Sequence, residues 1–383
     1  MVNNQIIVIG ISHYNPLNIV RALGENGYYS NVIILSSRSD SFVCHSRYVR
    51  RTWVVKCEEE ILEILFGEFT DEELKPVLYT TSDKIASCLD SVYDRLKDKF
   101  ILFNCASSVR GINYYMDKNV MNRVAESVGF NTPKSLVFDL SQDFTNEEIN
   151  YLLSKNKINL PCIVKPESSS GGSKTDFKIC TDKYVLWKIL QNLSGRVSKV
   201  LIQEYLEPDY EFSFPAVSLS RCGDIVIPGV VHKQHYCKNV YNMGMLIKAY
   251  LNVDVASYID CLKVKQLIKM INYAGLFSLD FIVSKGKVYF LEMNFRTDGN
   301  TFLATKAGIN LPLLWLLDVT NNADESSNIA PASKICGVNG ISLIKNLNMT
   351  NFVSYIKDFF EADCYTIWDR TDPQPFLFKF ITH

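Results

Sequence analysis

Long apolar runs are missing from this 383-residue chain. The densest, Leu311–Leu317, falls well short of the roughly 20 residues a membrane-spanning helix needs, so no membrane partner is expected. An excess of one charge is missing too. Lys plus Arg is 40 and Asp plus Glu 41, a net charge of −1, which offers nucleic acid or an anionic membrane no general attraction. Cysteine is present without pattern: the 11 thiols are an odd number and form no C-x-x-C. That favours reduced thiols acting as small hydrophobes over a disulfide framework. The start of the chain runs into a strand at Gln5 with no basic region or cleavage site ahead of it, so the expected location is cytoplasmic. Neither G-x-G-x-x-G nor G-x-x-x-x-G-K-[ST] occurs, which argues against a nicotinamide, flavin or phosphate-loop site. No Ser-His-Asp or Cys-His arrangement for nucleophilic catalysis is evident.

What is present suits a multidomain α/β protein. Apolar residues make up 47% of the chain, and its length predicts two or three domains. Residues 5–10 read as a buried strand. Asn15-Pro16 reads as an N-cap and first helical position, with the helix ending at Gly24 and Gly27. Val32–Leu35 is the next strand, giving a β-α-β opening. Strands at Val54–Val55, Pro76–Tyr79 and Ile101–Phe103, with helices Glu58–Phe69 and Ile85–Leu96, complete a doubly wound domain. Its strand ends place Ser12, His13, Tyr14 and Asp83 where open α/β sheets put ligands. His13 is either a substrate contact or a loop histidine.

Gly275–Gly299 organises the rest. Leu276–Val283 and Lys287–Met293 read as a hairpin around Ser284-Lys285-Gly286. Glu292 and Asn294 lie two apart and share a face, and Asp280 joins them if the hairpin pairs in register. Two carboxylates and an amide oxygen form a hard, oxygen-only set that suits Mg²⁺ carried in on substrate phosphates. Arg296 follows with the same parity.

Upstream, Asp117–Gly129 is a helix with Lys118 in its first turn. A strand at 160–166 carries Lys165 near its end, where a lysine calls for an anionic partner. A small-residue loop, Glu167–Lys174, comes next and can wrap an anion with its N–H groups and serines. Lys183–Leu193 reads as a helix, and Val200–Gln203, Glu211–Leu219 and Asp224–Lys233 as strands. Residues 250–274 contain a helix with Val264, Leu267, Ile268 and Ile271 as its core stripe. His232, His235 and Cys237 are close in sequence, but their spacing converges poorly on a zinc ion. Gly308–Leu317 is an apolar helix, 320–335 a surface loop, and 341–383 a small appended unit.

The ordered set of Lys118, Lys165, the glycine-serine loop, Gln203-Glu204-Tyr205-Leu206, Asp280 and Glu292-x-Asn294-x-Arg296 resembles the ATP-grasp superfamily over residues 1–320. The opening domain, with Asn15-Pro16-Leu17 and Ser46-Arg47-Tyr48, is similar to the pre-ATP-grasp domain of carboxylate–amine ligases, the group of carbamoyl-phosphate-synthase-like and D-aspartate-ligase-like enzymes. The resemblance implies an α/β, ATP-grasp fold divided into 1–112 (pre-ATP-grasp), 113–204 (small lobe with lid), 205–320 (lobe with the metal site) and 321–383 (appended unit).

By the same resemblance, Lys118 and Lys165 hold the ATP phosphates, and Ser169, Ser170, Gly171, Gly172 and Ser173 lie in the lid that closes over them. Gln203 stands where Glu is common and the adenine amino group is touched. Glu204 and Leu206 are hinge positions on the adenine edge, and Glu211 meets the ribose hydroxyls. Asp280, Glu292 and Asn294 are ligands of two Mg²⁺ ions, and Arg296 steadies the acyl phosphate. The lid is richer in serine than the family pattern. The implied partners are a small-molecule carboxylic acid and an amine, with a homodimer as a further expectation. The implied activity is ATP-dependent ligation with release of ADP and phosphate. A nucleotide-binding protein without ligase activity and a bicarbonate-using relative are the alternatives.

Overall fold

The structure, a computed structural model, describes residues 2–70, 73–105, 111–166, 178–220, 223–234, 248–322, 334–339 and 352–381. The chain opens with β1 (Ile6–Ile11), α1 (Tyr14–Gly24), β2 (Ser30–Leu35), a 3-10 turn (Phe42–His45), β3 (Val49–Val55), α2 (Glu58–Glu68), β4 (Val77–Thr80), α3 (Asp83–Ser91) and α4 (Tyr93–Leu96). The four strands form a parallel sheet in the order β3-β2-β1-β4. Alternate residues of each strand face opposite ways. Val8, Val32, Ile34 and Tyr79 share a core with Leu17 and Val20 of α1. Ile7, Ile9, Ile33 and Leu78 share one with Ile61 and Leu65 of α2 and with Ile85 and Leu89 of α3. Helices thus cover both faces, and the domain is doubly wound as expected.

Two details differ. The first helix is capped by His13 rather than Asn15: the His13 ring accepts from the Asn15 N–H, while the Asn15 amide donates to the Thr81 carbonyl. The stretch 101–103 makes only a single bridge, Ile101 to Val77. Phe103 is drawn away by packing edge-on to Trp315 and against Gly275. The chain therefore enters β5 (Asn104–Cys105), which pairs with a strand of another sheet.

The next portion contains α5 (Gly111–Tyr115), α6 (Lys118–Ser127), β6 (Ser135–Asp139), α7 (Asn146–Lys155), β7 (Cys162–Pro166), β8 (Lys178–Cys180), α8 (Lys183–Leu193) and β9 (Lys199–Glu204). Its antiparallel sheet runs β6-β9-β7-β8. Ile149, Leu153, Leu186 and Leu190 of α7 and α8 pack with Leu136, Phe138, Val164 and Ile202. By alternation, Ile163, Lys165, Leu201 and Gln203 belong to the sheet's other face. The expected lid, including Ser169, Ser170, Gly171, Gly172 and Ser173, lies outside the described residues.

The third portion contains β10 (Tyr210–Ser218), β11 (Ile225–Val226), β12 (Val230–Gln234), β13 (Lys248–Asn252), α9 (Cys261–Ile271), β14 (Tyr273–Ser284), β15 (Lys287–Asn294), α10 (Thr301–Lys306), α11 (Leu311–Val319), β16 (Lys334–Val338), α12 (Phe352–Glu361), β17 (Cys364–Tyr365) and α13 (Gln374–Ile381). Its sheet runs β15-β14-β10-β12-β13-β16-β17, with β11 beside β10 and β5 beside β14. The strand expected over Asp224–Lys233 is split at Pro228-Gly229, where Gly229 sits so close to the Asn252 carbonyl that a Cβ would fall 2.7 Å from it. The strands β13 and β16 and the short α10 have no counterpart in the sequence reading. Sheet pairing, not local pattern, makes β13 and β16 strands: each is laid against its neighbour by five matched residues.

Candidate active site

The strands β14 and β15 are joined by Lys285-Gly286, whose φ angles of 50° and 70° suit the type I′ turn that matches the twist of paired strands. Down the hairpin, Phe281 pairs with Phe290, but Asp280 pairs with Glu292. Leu291 is therefore an extra residue, a β-bulge. Its consequence is a change of face. Phe290 points into the core with Phe281; an unbroken alternation would send Glu292 after it. The bulge sends Met293 and Phe295 to the core instead and turns Glu292, Asn294 and Arg296 to the opposite side, beside Asp280 and Ser278. The neighbouring strand continues the row: Ser213 of β10 stands opposite Asp280, and Glu211 shares its parity. Three strands thus contribute a polar face.

The groups on this face are wired together. Asn294 donates to the Ser278 hydroxyl (3.2 Å) and to Asp280 (3.3 Å). Its carbonyl oxygen accepts from Arg296 at 2.9 Å. Arg296 is buried and forms a bidentate pair with Asp83, the first residue of α3, at 3.1 and 2.8 Å. Burial alone would lower the Arg296 pKa, but Asp83, Asp298 and Glu292 outweigh it and hold the guanidinium above its ordinary range. The loop beyond is fixed by Asp298, which accepts from the Asn300 N–H and amide; Asn300 also donates to Ser213.

The facing wall comes from the four-stranded sheet. Lys165 of β7 donates to the Gln203 carbonyl oxygen at 2.8 Å. Burial first, then the Lys118 ammonium, pushes the Lys165 pKa down to about 8, with Glu292 pulling the other way. Lys118 and Glu292 therefore each lie within electrostatic reach of Lys165, although the three come from three elements. Lys118 begins α6, whose first turn is capped by Asp117. A cation there opposes the helix dipole unless an anion sits between them. Glu204 is held by the Lys134 N–H at 2.8 Å, and its own N–H bonds the Lys134 carbonyl. Leu206, just past β9, is half-buried.

The structure brings Asp280, Glu292, Asn294 and Arg296 together and sets Lys118 and Lys165 opposite them. Glu211 shares the face one step along β10. His232 belongs elsewhere: it pairs with Phe212 and packs edge-on to Tyr258 and tilted against Tyr210 on the other side of the sheet. His235 and Cys237 lie outside the described residues. Sequence reasoning missed Ser213, Ser278, Asp298 and Asn300. The alternation Glu211-Phe212-Ser213-Phe214 carries the signal for Ser213. Nothing local links Asn300 to it. Among the described residues no group of three or more His, Cys, Asp or Glu side chains converges as a metal cage. Two carboxylates plus an amide oxygen fit a hard cation that keeps most of its ligands on water or a substrate.

The family described as D-ala D-ala ligase C-terminus matches residues 124–302. Among curated relatives, a formate-dependent phosphoribosylglycinamide formyltransferase of Nitratiruptor sp. is 22% identical over 66% of this chain and 59% of its own length. A D-alanine–D-alanine ligase of Fusobacterium nucleatum is 26% identical over 54% of this chain and 63% of its own length. The chain thus spans about three-fifths of these relatives. The crystal structure of an N5-carboxyaminoimidazole synthetase from Staphylococcus aureus complexed with ADP superposes with a TM-score of 0.66 and 15% identity, covering 92% of this chain and 86% of that one. A likeness at that identity is one of fold.

Proposed function

We propose, from the match to the D-ala D-ala ligase C-terminus family over residues 124–302 and the fold shared with the synthetase, that the chain is an ATP-dependent ligase of the ATP-grasp superfamily. It converts a small carboxylic acid to an acyl phosphate and passes the acyl group to an amine, releasing ADP and phosphate. The observation that carries this reading is the row that the bulge at Leu291 creates, Glu292 opposite Asp280 with Asn294 bonded to both Asp280 and Arg296. Cations from two parts of the chain converge on one acidic row, an arrangement suited to a polyanion with its counter-ions.

In this reading Asp280, Glu292 and Asn294 hold two Mg²⁺ ions that arrive with the nucleotide; the Asn294 oxygen keeps a second lone pair beside its bond from Arg296. Held there, such ions would supply neutralisation of charge on the nucleotide phosphates. Lys118 and Lys165 bind the phosphates from the other side. Gln203, Glu204 and Leu206 line the base, and Glu211 takes the ribose hydroxyls. A carboxylate is a poor electrophile, and its approach to the γ-phosphoryl group brings anions together. The lysines offset that repulsion, and Arg296, already aimed by Asp83, meets the charge that builds on the transferred group. The amine nitrogen then attacks the acyl carbon, forming the C–N bond as the C–O bond to phosphate breaks, and phosphate and the nitrogen's proton leave.

The test is ADP release with Mg-ATP, hydroxylamine and a panel of carboxylic acids, run beside Lys165→Ala and Glu292→Ala. Hydroxylamine traps the acyl phosphate whatever the natural amine. One acid yielding ADP and a hydroxamate, both lost in the variants, is the expected result. AMP in place of ADP, or full turnover by Glu292→Ala, would sink the reading.

A further inference from the structure

Two cysteines that are scattered in the chain are brought face to face in the fold. Cys162 opens β7 and Cys180 ends β8, and the antiparallel register sets them directly opposite each other. Both are 0% exposed, in the core with Ile149, Leu153, Leu186 and Leu190 of α7 and α8. Opposite residues of an antiparallel pair have Cα atoms about 4.5 or 5.5 Å apart, according to whether the position is hydrogen-bonded. Either spacing falls within the span of about 4.4–6.8 Å that a disulfide bridges. Register and facing thus already meet what a bond between the two Sγ atoms requires. Each thiol has the other as a hydrogen-bond partner.

Cys336 and Cys364 make the contrast. The parallel register of β16 and β17 matches Cys364 with Gly337, so Cys336 is out of step by one residue and points the other way. The Cys364 thiol donates to the Cys336 carbonyl instead of meeting its sulfur.

The contact gives the two thiols of the β7–β8 pair different roles. The Cys162 S–H donates and Cys180 accepts. That bond pulls the Cys180 pKa down, and the same bond, with burial, pushes Cys162 up. The thiolate is the species that attacks an oxidant, and the neighbouring thiol is in place to resolve the adduct. Access comes from the edge of the sheet. The strand β8 is three residues long and outermost in the order β6-β9-β7-β8. Lys178 is exposed and Ile179 half-buried. A short strand with one pairing partner opens more readily than the sheet's centre, and lifting it uncovers both sulfurs to a small oxidant.

We infer that Cys162 and Cys180 are a redox-sensitive pair, which hydrogen peroxide converts to a cross-strand disulfide. The Cys180 thiolate attacks one peroxide oxygen. The O–O bond breaks, Cys180 becomes the sulfenic acid, and the departing hydroxide takes the proton that Cys180 gave up. The Cys162 sulfur then attacks the Cys180 sulfur. The S–S bond forms as the S–O bond breaks, and the hydroxyl leaves as water with the Cys162 proton. Two thiols are oxidised, and one peroxide is reduced to two waters. The bond closes residues 162–180 into a ring that contains Lys165 and ties down the edge of its sheet; a reducing thiol reopens it. The inference stands whether or not the chain is a ligase.

Peptide mapping of the full chain, folded and free of nucleotide, tests it. The protein is treated with hydrogen peroxide, and remaining thiols are alkylated before digestion. The expected product is a peptide pair joined through Cys162 and Cys180, lighter by two hydrogens than its separate halves and released by dithiothreitol. In the linked protein the amides of β8 should exchange hydrogen more slowly than in the reduced one. Cys162→Ala removes the resolving thiol, so the cross-link is lost and Cys180 stops at the sulfenic acid, which dimedone labels. If that variant fails to fold, the map of the wild type still decides. Full alkylation of both cysteines after peroxide, a link that forms only in urea, or sulfinic acid at either cysteine without a link overturns the inference. Unchanged exchange at β8 in the linked protein overturns its tie to the sheet edge.

Discussion

The two walls of the site are finished to different degrees. On the β14–β15 wall, Arg296 is gripped by both oxygens of Asp83 and by Asn294, and Asn294 in turn binds Ser278 and Asp280. On the facing wall the Lys165 ammonium has a neutral amide as its hydrogen-bond partner and another ammonium, Lys118, nearby. One wall is preorganised before any ligand arrives. The other carries an electrostatic deficit that an incoming polyanion relieves. In the reaction proposed above, that division would suit phosphoryl transfer, with the groups proposed to steady the transition state fixed in advance and those proposed to capture the nucleotide gaining most when it binds.

The contrast breaks most sharply at Asp83. Asp83→Ala leaves the Arg296 guanidinium buried without its bidentate partner. The expected cost is about 3 kcal/mol of folding stability, near the lower end for breaking a buried pair because Asp83 is partly exposed. Urea unfolding measures it, and the misaimed arginine should lower turnover as well. A variant as stable as wild type would show that the wall is not braced across the two portions of the chain.

Lys165→Met probes the other wall and should give the opposite pattern. Loss of one charged contact to phosphate lowers ATP affinity by about 2 kcal/mol, or roughly thirtyfold. Folding stability should stay within about 1 kcal/mol, because removing a disfavoured buried charge offsets the bond lost to Gln203. Calorimetry with ATP and unfolding of the nucleotide-free protein separate the two. A strongly destabilised variant would mean that Lys165 is a structural strut.

Much of this division could be read from the chain, and the unread part has a physical cause. Glu292 and Asn294 are polar residues two apart inside an apolar strand, so strand parity groups them, while Asp280 joins them only through the register of the hairpin. The bulge at Leu291 leaves no local mark, since Phe290-Leu291-Glu292 fits a plain strand equally well. Only the packing of Phe290 on Phe281 and of Phe295 on Tyr273 shows where the face changes. The brace between Asp83 and Arg296 joins residues 213 apart and depends on how two sheets meet. For the same reason β13 and β16 escaped notice: short strands with mixed polarity are defined by their neighbours. The α1 start was misread because the helix already begins at Tyr14, so Asn15 lies within its first turn and His13 takes the capping position.

The smallest expected effect sharpens the comparison most. In the unliganded protein Lys165 has a pKa of about 8, below the ordinary lysine value. It is charged at pH 7 and loses its charge as pH rises through 8. Phosphates favour the charged form, so the bound state has the higher pKa and takes up a proton above pH 8. ATP affinity should therefore be flat below pH 7.5 and fall above about 8, by at most tenfold per pH unit. Gln203→Glu puts a carboxylate where the amide oxygen stands, 2.8 Å from the ammonium. It raises the lysine pKa and moves the fall to higher pH. At pH 7 the change in affinity is small, because the wild-type lysine is already protonated there. Titration calorimetry across pH 6.5–9.5 distinguishes the two curves. If both fall at the same pH, the titrating group is not Lys165, and the incompleteness of this wall is not electrostatic.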